Sequence, residues 1–178
     1  MTTKKQLVLH PLPDYPPEIG IALAMIEDCR ARTHTALKDL KPSAVDWVGG
    51  FNDHSIGTLL YHIAAIEIDW LTGEVMAGKL DESIWEHFPH DVRDDQGRLT
   101  VVIGVNLEDH WQRLDTVRNL LLVSYKAMSL NEYRRVRQME QYDVTPEWVL
   151  HHLMQHEAEH RDEIISLRAG AEKKLKSV

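Results

Sequence analysis

Four stretches of the chain repeat apolar residues at the three-to-four spacing of an amphipathic helix. The first follows Pro16 and Pro17, with Glu18 next, a proline-then-acid opening suited to a helix N-terminus. It carries Ile21, Met25, Asp28 or Cys29, and Arg32, and is predicted to run to about Leu40, before Pro42, Gly49 and Gly50 break the chain. Asn52, Asp53 or Ser55 caps the second, whose stripe is Ile56, Leu59, Leu60, Ile63, Ile66 and Trp70, ending between Gly73 and Gly78. Asn106 caps the third, with Asp109 in its first turn and Trp111, Leu114, Val117 or Arg118, Leu121 and Leu122 on one face through about Met128. Thr145-Pro146-Glu147 opens the fourth, in which Val149, Leu153, His156, His160, Ile164 and Leu167 share a face to about Ala169.

The connection at 79–105 is broken by Pro89, Gly97 and Gly104. Its β-branched run, Thr100-Val101-Val102-Ile103, would be a lone strand with no sheet to join, so it is predicted as loop with short helical turns. Residues 1–15, with Pro11 and Pro13, are expected as an extended arm. Four amphipathic helices without strand partners predict an all-α four-helix bundle. The 178 residues fit a single domain, 1–178, with a long irregular connection between helices two and three.

Composition narrows the chemistry. A formal net charge of -8 argues against a nucleic-acid partner, because neutralising phosphates needs a surplus of Lys and Arg. The short cluster Arg134, Arg135 and Arg137 reads as a solvated face. No apolar run approaches the about 20 residues of a membrane span, no signal-peptide core follows the N-terminus, and the cytoplasm is the expected location. Cys29 is the single cysteine, which excludes an intramolecular disulfide, and it reads as a surface or half-buried bystander thiol.

The candidate chemistry lies in the histidines. His156 and His160, four apart on the last helix, point the same way one turn apart and can share a metal ion. His152 extends the row, but residues eight apart are separated by about 12 Å along the axis, too far for one ion to take both ends. A third ligand must come from another helix, and His62, which interrupts the apolar stripe of helix two, is the best placed. Three protein ligands would leave a position open for water or substrate.

His54 reads as a cap or rim residue, and His87 and His90 as loop-surface residues. Glu157 and Asp69 are candidates to orient an imidazole or handle a proton, whereas Glu67 reads as part of a solvated helix face. His156-Glu157-x-x-His160 also matches the zincin protease pattern. The extended form of that pattern fails at Glu163 and Ser166, and no later carboxylate sits on a separate helix.

The segment Ser55-Ile56-Gly57-Thr58-Leu59-Leu60-Tyr61-His62-Ile63-Ala64-Ala65-Ile66-Glu67-Ile68-Asp69-Trp70, followed late in the chain by His156-Glu157-Ala158-Glu159-His160-Arg161, resembles the DinB-like (DinB/YfiT) superfamily of metal-dependent bundle proteins. The resemblance implies an up-down-down-up bundle, often a homodimer, with His62, His156 and His160 holding nickel, zinc or iron. Asp162 and Glu163 depart from the Gly or Ala followed by Gln that members often carry, which bears on substrate rather than on the triad. Relatives that act as transferases or isomerases using low-molecular-weight thiols imply a low-molecular-weight-thiol S-transferase, with Glu157 or Asp69 moving protons. The alternatives are a metal-dependent hydrolase and a non-catalytic, stress-related bundle whose metal is structural or absent.

Overall fold

The computed structural model describes residues 4, 6–49, 54–78 and 82–175. Helix α1 spans Pro17–Ala36, a single turn α2 Pro42–Val45, α3 Ile56–Trp70, α4 Leu107–Lys126, a second single turn α5 Leu130–Tyr133, and α6 Pro146–Leu175. Two-residue strands β1 (Arg137–Gln138) and β2 (Asp143–Val144) pair antiparallel, Arg137 opposite Val144. All four long helices are in place, and the caps act as their sequence predicts. Ser55 Oγ accepts from the Thr58 amide at 3.1 Å, Asn106 Oδ1 from that of Asp109 at 2.9 Å, and Thr145 Oγ1 from that of Trp148 at 3.1 Å. The other two cap candidates of helix two, Asn52 and Asp53, lie outside the described residues.

Cross-helix contacts fix the directions. Gly57 faces His110 and Glu67 faces Arg118, so α3 and α4 run parallel. Cys29 meets Met154 while Arg168 reaches Ala36, so α1 and α6 run parallel. Tyr15, just ahead of α1, bonds Leu122 near the end of α4, so these two oppose one another. The order is up-down-down-up. Ile19, Leu23 and Ile26 of α1, Ile68 of α3, Val117 and Leu121 of α4, and Val149 and Leu153 of α6 form the main core.

Four local expectations are corrected. The inward face of α1 is Ile19, Leu23, Ile26, Arg30 and Thr33. On the expected Ile21–Met25–Arg32 face, Met25 is 41% exposed and Arg32 pairs with Asp28 in solvent. The true stripe was disguised because Arg30 occupies one of its positions. Twelve of the fifteen residues of α3 are buried, which makes it the central helix and buries Glu67 with it. Helix α6 runs past Gly170 to Leu175, because this glycine makes room rather than a stop. A Cβ there would lie 2.6 Å from the Trp47 ring. Finally, Arg137 is not solvated: its guanidinium donates to the backbone carbonyls of Glu74 and Val75, where α3 widens into a π-turn over Leu71–Val75.

The 82–105 segment behaves as loop with a short helical turn at Glu82–His87. Thr58 holds it on the bundle: its hydroxyl accepts from the Val102 amide at 3.1 Å and lies 3.3 Å from the Val102 carbonyl. Tyr61 grips it again, donating to the His90 carbonyl at 2.6 Å and accepting from its amide at 3.0 Å. Among the described residues, no helix is long and apolar enough to cross a membrane.

Candidate metal centre

Antiparallel packing of α3 against α6 sets His62 opposite the pair His156 and His160. The Nε2 atoms of His62 and His156 are 3.1 Å apart, and those of His156 and His160 are 3.2 Å apart. One ligand atom from each histidine lies within 4.8 Å of the other two. The rings meet at 57°, 82° and 87°, edge on rather than stacked, so their in-plane lone pairs converge.

This arrangement suits a cation better than hydrogen bonding. His156 Nε2 has one lone pair or one proton, yet it touches two other Nε2 atoms. A tetrahedral ion with bonds of 2.0–2.1 Å would separate its ligand nitrogens by about 3.3 Å, close to the spacing seen. Burial drives the His62 pKa down to about 3, helped by the neighbouring His160, Arg93 and His54. His156 falls to about 3 for the same first reason, with His160 and His62 adding to it. Both imidazoles are therefore neutral near pH 7, the form that binds metal. His160 Nδ1 is 3.0 Å from Glu163 Oε1, the carboxylate support that ligating histidines usually carry. His62 Nδ1 is buried with no hydrogen-bond partner among the described residues.

The carboxylates are arranged otherwise than expected. Glu157, between the two histidines in sequence, points away from them into the bundle. It is 1% exposed and accepts from Arg30 Nε and Thr33 Oγ1, each at 2.8 Å, with Arg118 Nη2 at 3.4 Å. Glu67, expected at a solvated face, is buried beside it and binds Arg118 Nε at 2.7 Å and Arg30 Nη2 at 2.8 Å. Burial alone would raise the Glu67 pKa, but Arg118 and Arg30 outweigh it and hold the carboxyl ionised. Each long helix thus gives one charge to a buried quartet: Arg30, Glu67, Arg118 and Glu157. Asp69 lies at the surface two turns beyond His62.

His152 does not join the triad; its ring packs with those of Trp70 and Trp148 in a three-ring cluster, 5.9 Å from the His156 ring. His54 is half-buried, near enough for its charge to act on His62. His90 is an exposed loop residue, and His87 is half-buried with its carbonyl accepting from Arg113. Cys29 is more buried than expected; burial pushes its thiol pKa up, and its Sγ lies 3.2 Å from Arg161 Nη1. That thiol is inert. The residues that the sequence reading missed are Arg30 and the partners of Arg118. Their signal was a charged side chain recurring at three-to-four spacing within an apolar stripe.

An up-down-down-up bundle in which three imidazoles from two antiparallel helices converge defines a class of helical proteins with a histidine cluster compatible with a metal ion. The chain belongs to the DinB superfamily, whose family model matches residues 25–164 and so spans all three histidines. No curated protein matches the chain.

Proposed function

We propose that His62, His156 and His160 hold one divalent ion, nickel, zinc or iron, with a position left open to a small molecule. The convergence of three neutral Nε2 atoms supports this reading most directly. A metal in such a site would supply Lewis acidity and keep a bound sulfur as thiolate near pH 7. The protein's own part is to keep two of the imidazoles deprotonated by burial, to orient His160 through Glu163, and to fix α3 against α6 with the charged quartet.

Between the two catalytic readings, transfer of a low-molecular-weight thiol is favoured over hydrolysis. A hydrolase needs a carboxylate free to take a proton from water. Glu157 is committed to Arg30, Thr33 and Arg118, Glu163 to the His160 ring, and Asp69 stands exposed two turns from His62. A thiol bound as thiolate needs no such base. A cytoplasmic homodimer acting on a small molecule completes the proposal, from the family's usual assembly and the lone, disulfide-free Cys29.

Elemental analysis of protein purified without chelators, beside His62→Ala and His160→Ala, is the test. The parent should hold about one ion per chain and each variant much less; equal metal in all three would overturn the assignment. Adding a low-molecular-weight thiol to the cobalt- or nickel-loaded parent should produce a sulfur-to-metal charge-transfer band, and its absence would remove the thiol reading.

A further inference from the structure

Beyond the three histidines, the α3–α6 contact continues as a cluster of aromatic rings. His152 stacks on Trp148 with planes 6° apart and centroids 5.1 Å apart, and it lies 4.5 Å from the Trp70 ring. Trp70 in turn meets Trp148 at 5.3 Å and Tyr142 at 5.9 Å. Trp148 remains 46% exposed and Tyr142 44%, whereas Trp70 is partly buried against the core and His152 half-buried, and Val149, Leu150 and Leu153 make the inward face of this part of α6. A cluster of large rings left open to water beside a candidate reactive centre marks a binding surface.

The charge at its edge says what it binds. Asp69, next to Trp70, is exposed at the surface and is paired with no cation among the described residues, and what burial it has raises its pKa. It is near enough to Tyr142 for its charge to act on the phenol, whose hydroxyl also donates to Glu74. Electron-rich ring faces beside an uncompensated carboxylate repel an anion and attract an organic cation. A bare metal ion would need several converging oxygens instead.

We propose that Trp70, Tyr142 and Trp148, with Asp69, form a subsite for an alkylammonium group. Trp70 is eight residues beyond His62 on α3, about 12 Å along the helix. The subsite therefore selects a substrate whose cationic end lies away from the group offered to the histidines. That role in substrate selection rests on the proposed metal centre; binding of the cation itself does not.

Choline and neohexanol, its uncharged carbon isostere, separate the possibilities when titrated against the full chain, metal-free and metal-loaded. The tryptophan indole N–H resonances report occupancy. Choline should bind at least about fivefold more tightly than neohexanol. Asp69→Asn should weaken choline about tenfold and leave neohexanol unchanged, and Trp148→Ala should weaken both. Asp69→Asn, at an exposed position, should leave the melting temperature near that of the parent, and Trp148→Ala, which gives up ring contacts with Trp70 and His152, should lower it modestly without unfolding the chain. Equal binding of the two probes, choline affinity indifferent to Asp69→Asn, or no response to either probe would overturn the proposal. Choline binding in a chain that takes up no metal would keep the cation subsite and remove the metal centre; metal uptake without choline binding would do the reverse.

Discussion

His62 and His156 are 94 residues apart in the chain, yet their Nε2 atoms stand 3.1 Å apart. Two neutral imidazoles gain little from meeting so closely, since only one N–H can lie between them. The contact is held by what surrounds it. Helix α3 is buried on nearly every side, so the rotation of His62 about the helix axis is set by core packing. The buried quartet then ties α3 to α1, α4 and α6 one to two turns away. The rings are positioned before any ligand arrives, which lowers the cost of binding one.

Metal should stabilise the fold measurably. An ion that binds the native but not the unfolded chain adds about 2.7 kcal/mol at a hundredfold excess over Kd. Thermal melts should rise with added nickel or zinc and fall back with chelator. His156→Ala should abolish the response, because its Nε2 is the one in contact with both others. A melt indifferent to metal would count against the site.

Glu163 should matter through His160 alone. Replacing a carboxylate that orients a ligating histidine typically costs about 10–100-fold in metal affinity. Glu163→Gln should therefore weaken metal binding by about tenfold or more, with the ion count per chain still near one at saturation. Competition with a coloured chelator measures this, and an unchanged affinity would mean that the 3.0 Å contact does not support the ring.

Glu157 should prove structural. Removing one member of a buried ion cluster leaves its partners uncompensated, at a cost of about 3–5 kcal/mol. Glu157→Ala leaves the two buried guanidinium groups of Arg30 and Arg118 with one buried carboxylate, Glu67, and should lower the urea midpoint sharply. A zincin-type base would behave oppositely, losing activity with stability intact.

The sequence displayed the helices, their caps and the three histidines because each of these is local or periodic. Ser55, Asn106 and Thr145 announce helix starts within a few residues, and the His156–His160 spacing carries its own geometry. The buried charges were hidden for the opposite reason. Periodicity alone assigns Glu67 and Arg30 to water, and only their mutual pairing across two helices lets both go inside. The same holds for Gly170, a stop signal in sequence but a space for Trp47 in the packed structure. The α5 turn and the β1–β2 hairpin carried too few residues to show a period.

Acid should unfold the metal-free protein through its histidines before its carboxylates. The pKa of His62 and of His156 is lowered to about 3 and that of His110 to about 4, in each case chiefly by burial. In the unfolded chain all three titrate near 6.5. Below that value the unfolded state binds more protons than the native state, so stability rises with pH across the interval. The stabilisation is complete above about pH 6.5 and is lost as pH falls toward 4 and then 3. Glu67, held ionised by Arg118 and Arg30 against its burial, adds a loss of the same sign only at lower pH, below the ordinary carboxylate range. Between pH 6.5 and 5 the histidines should therefore dominate. Urea unfolding of chelator-treated protein should show a midpoint falling through that window. In His62→Gln the dependence should be shallower by about one proton, whatever the variant's stability at neutral pH. A flat profile from pH 7 to 5 would mean that these rings titrate in the fold as they do in the unfolded chain, and so that burial does not hold them neutral.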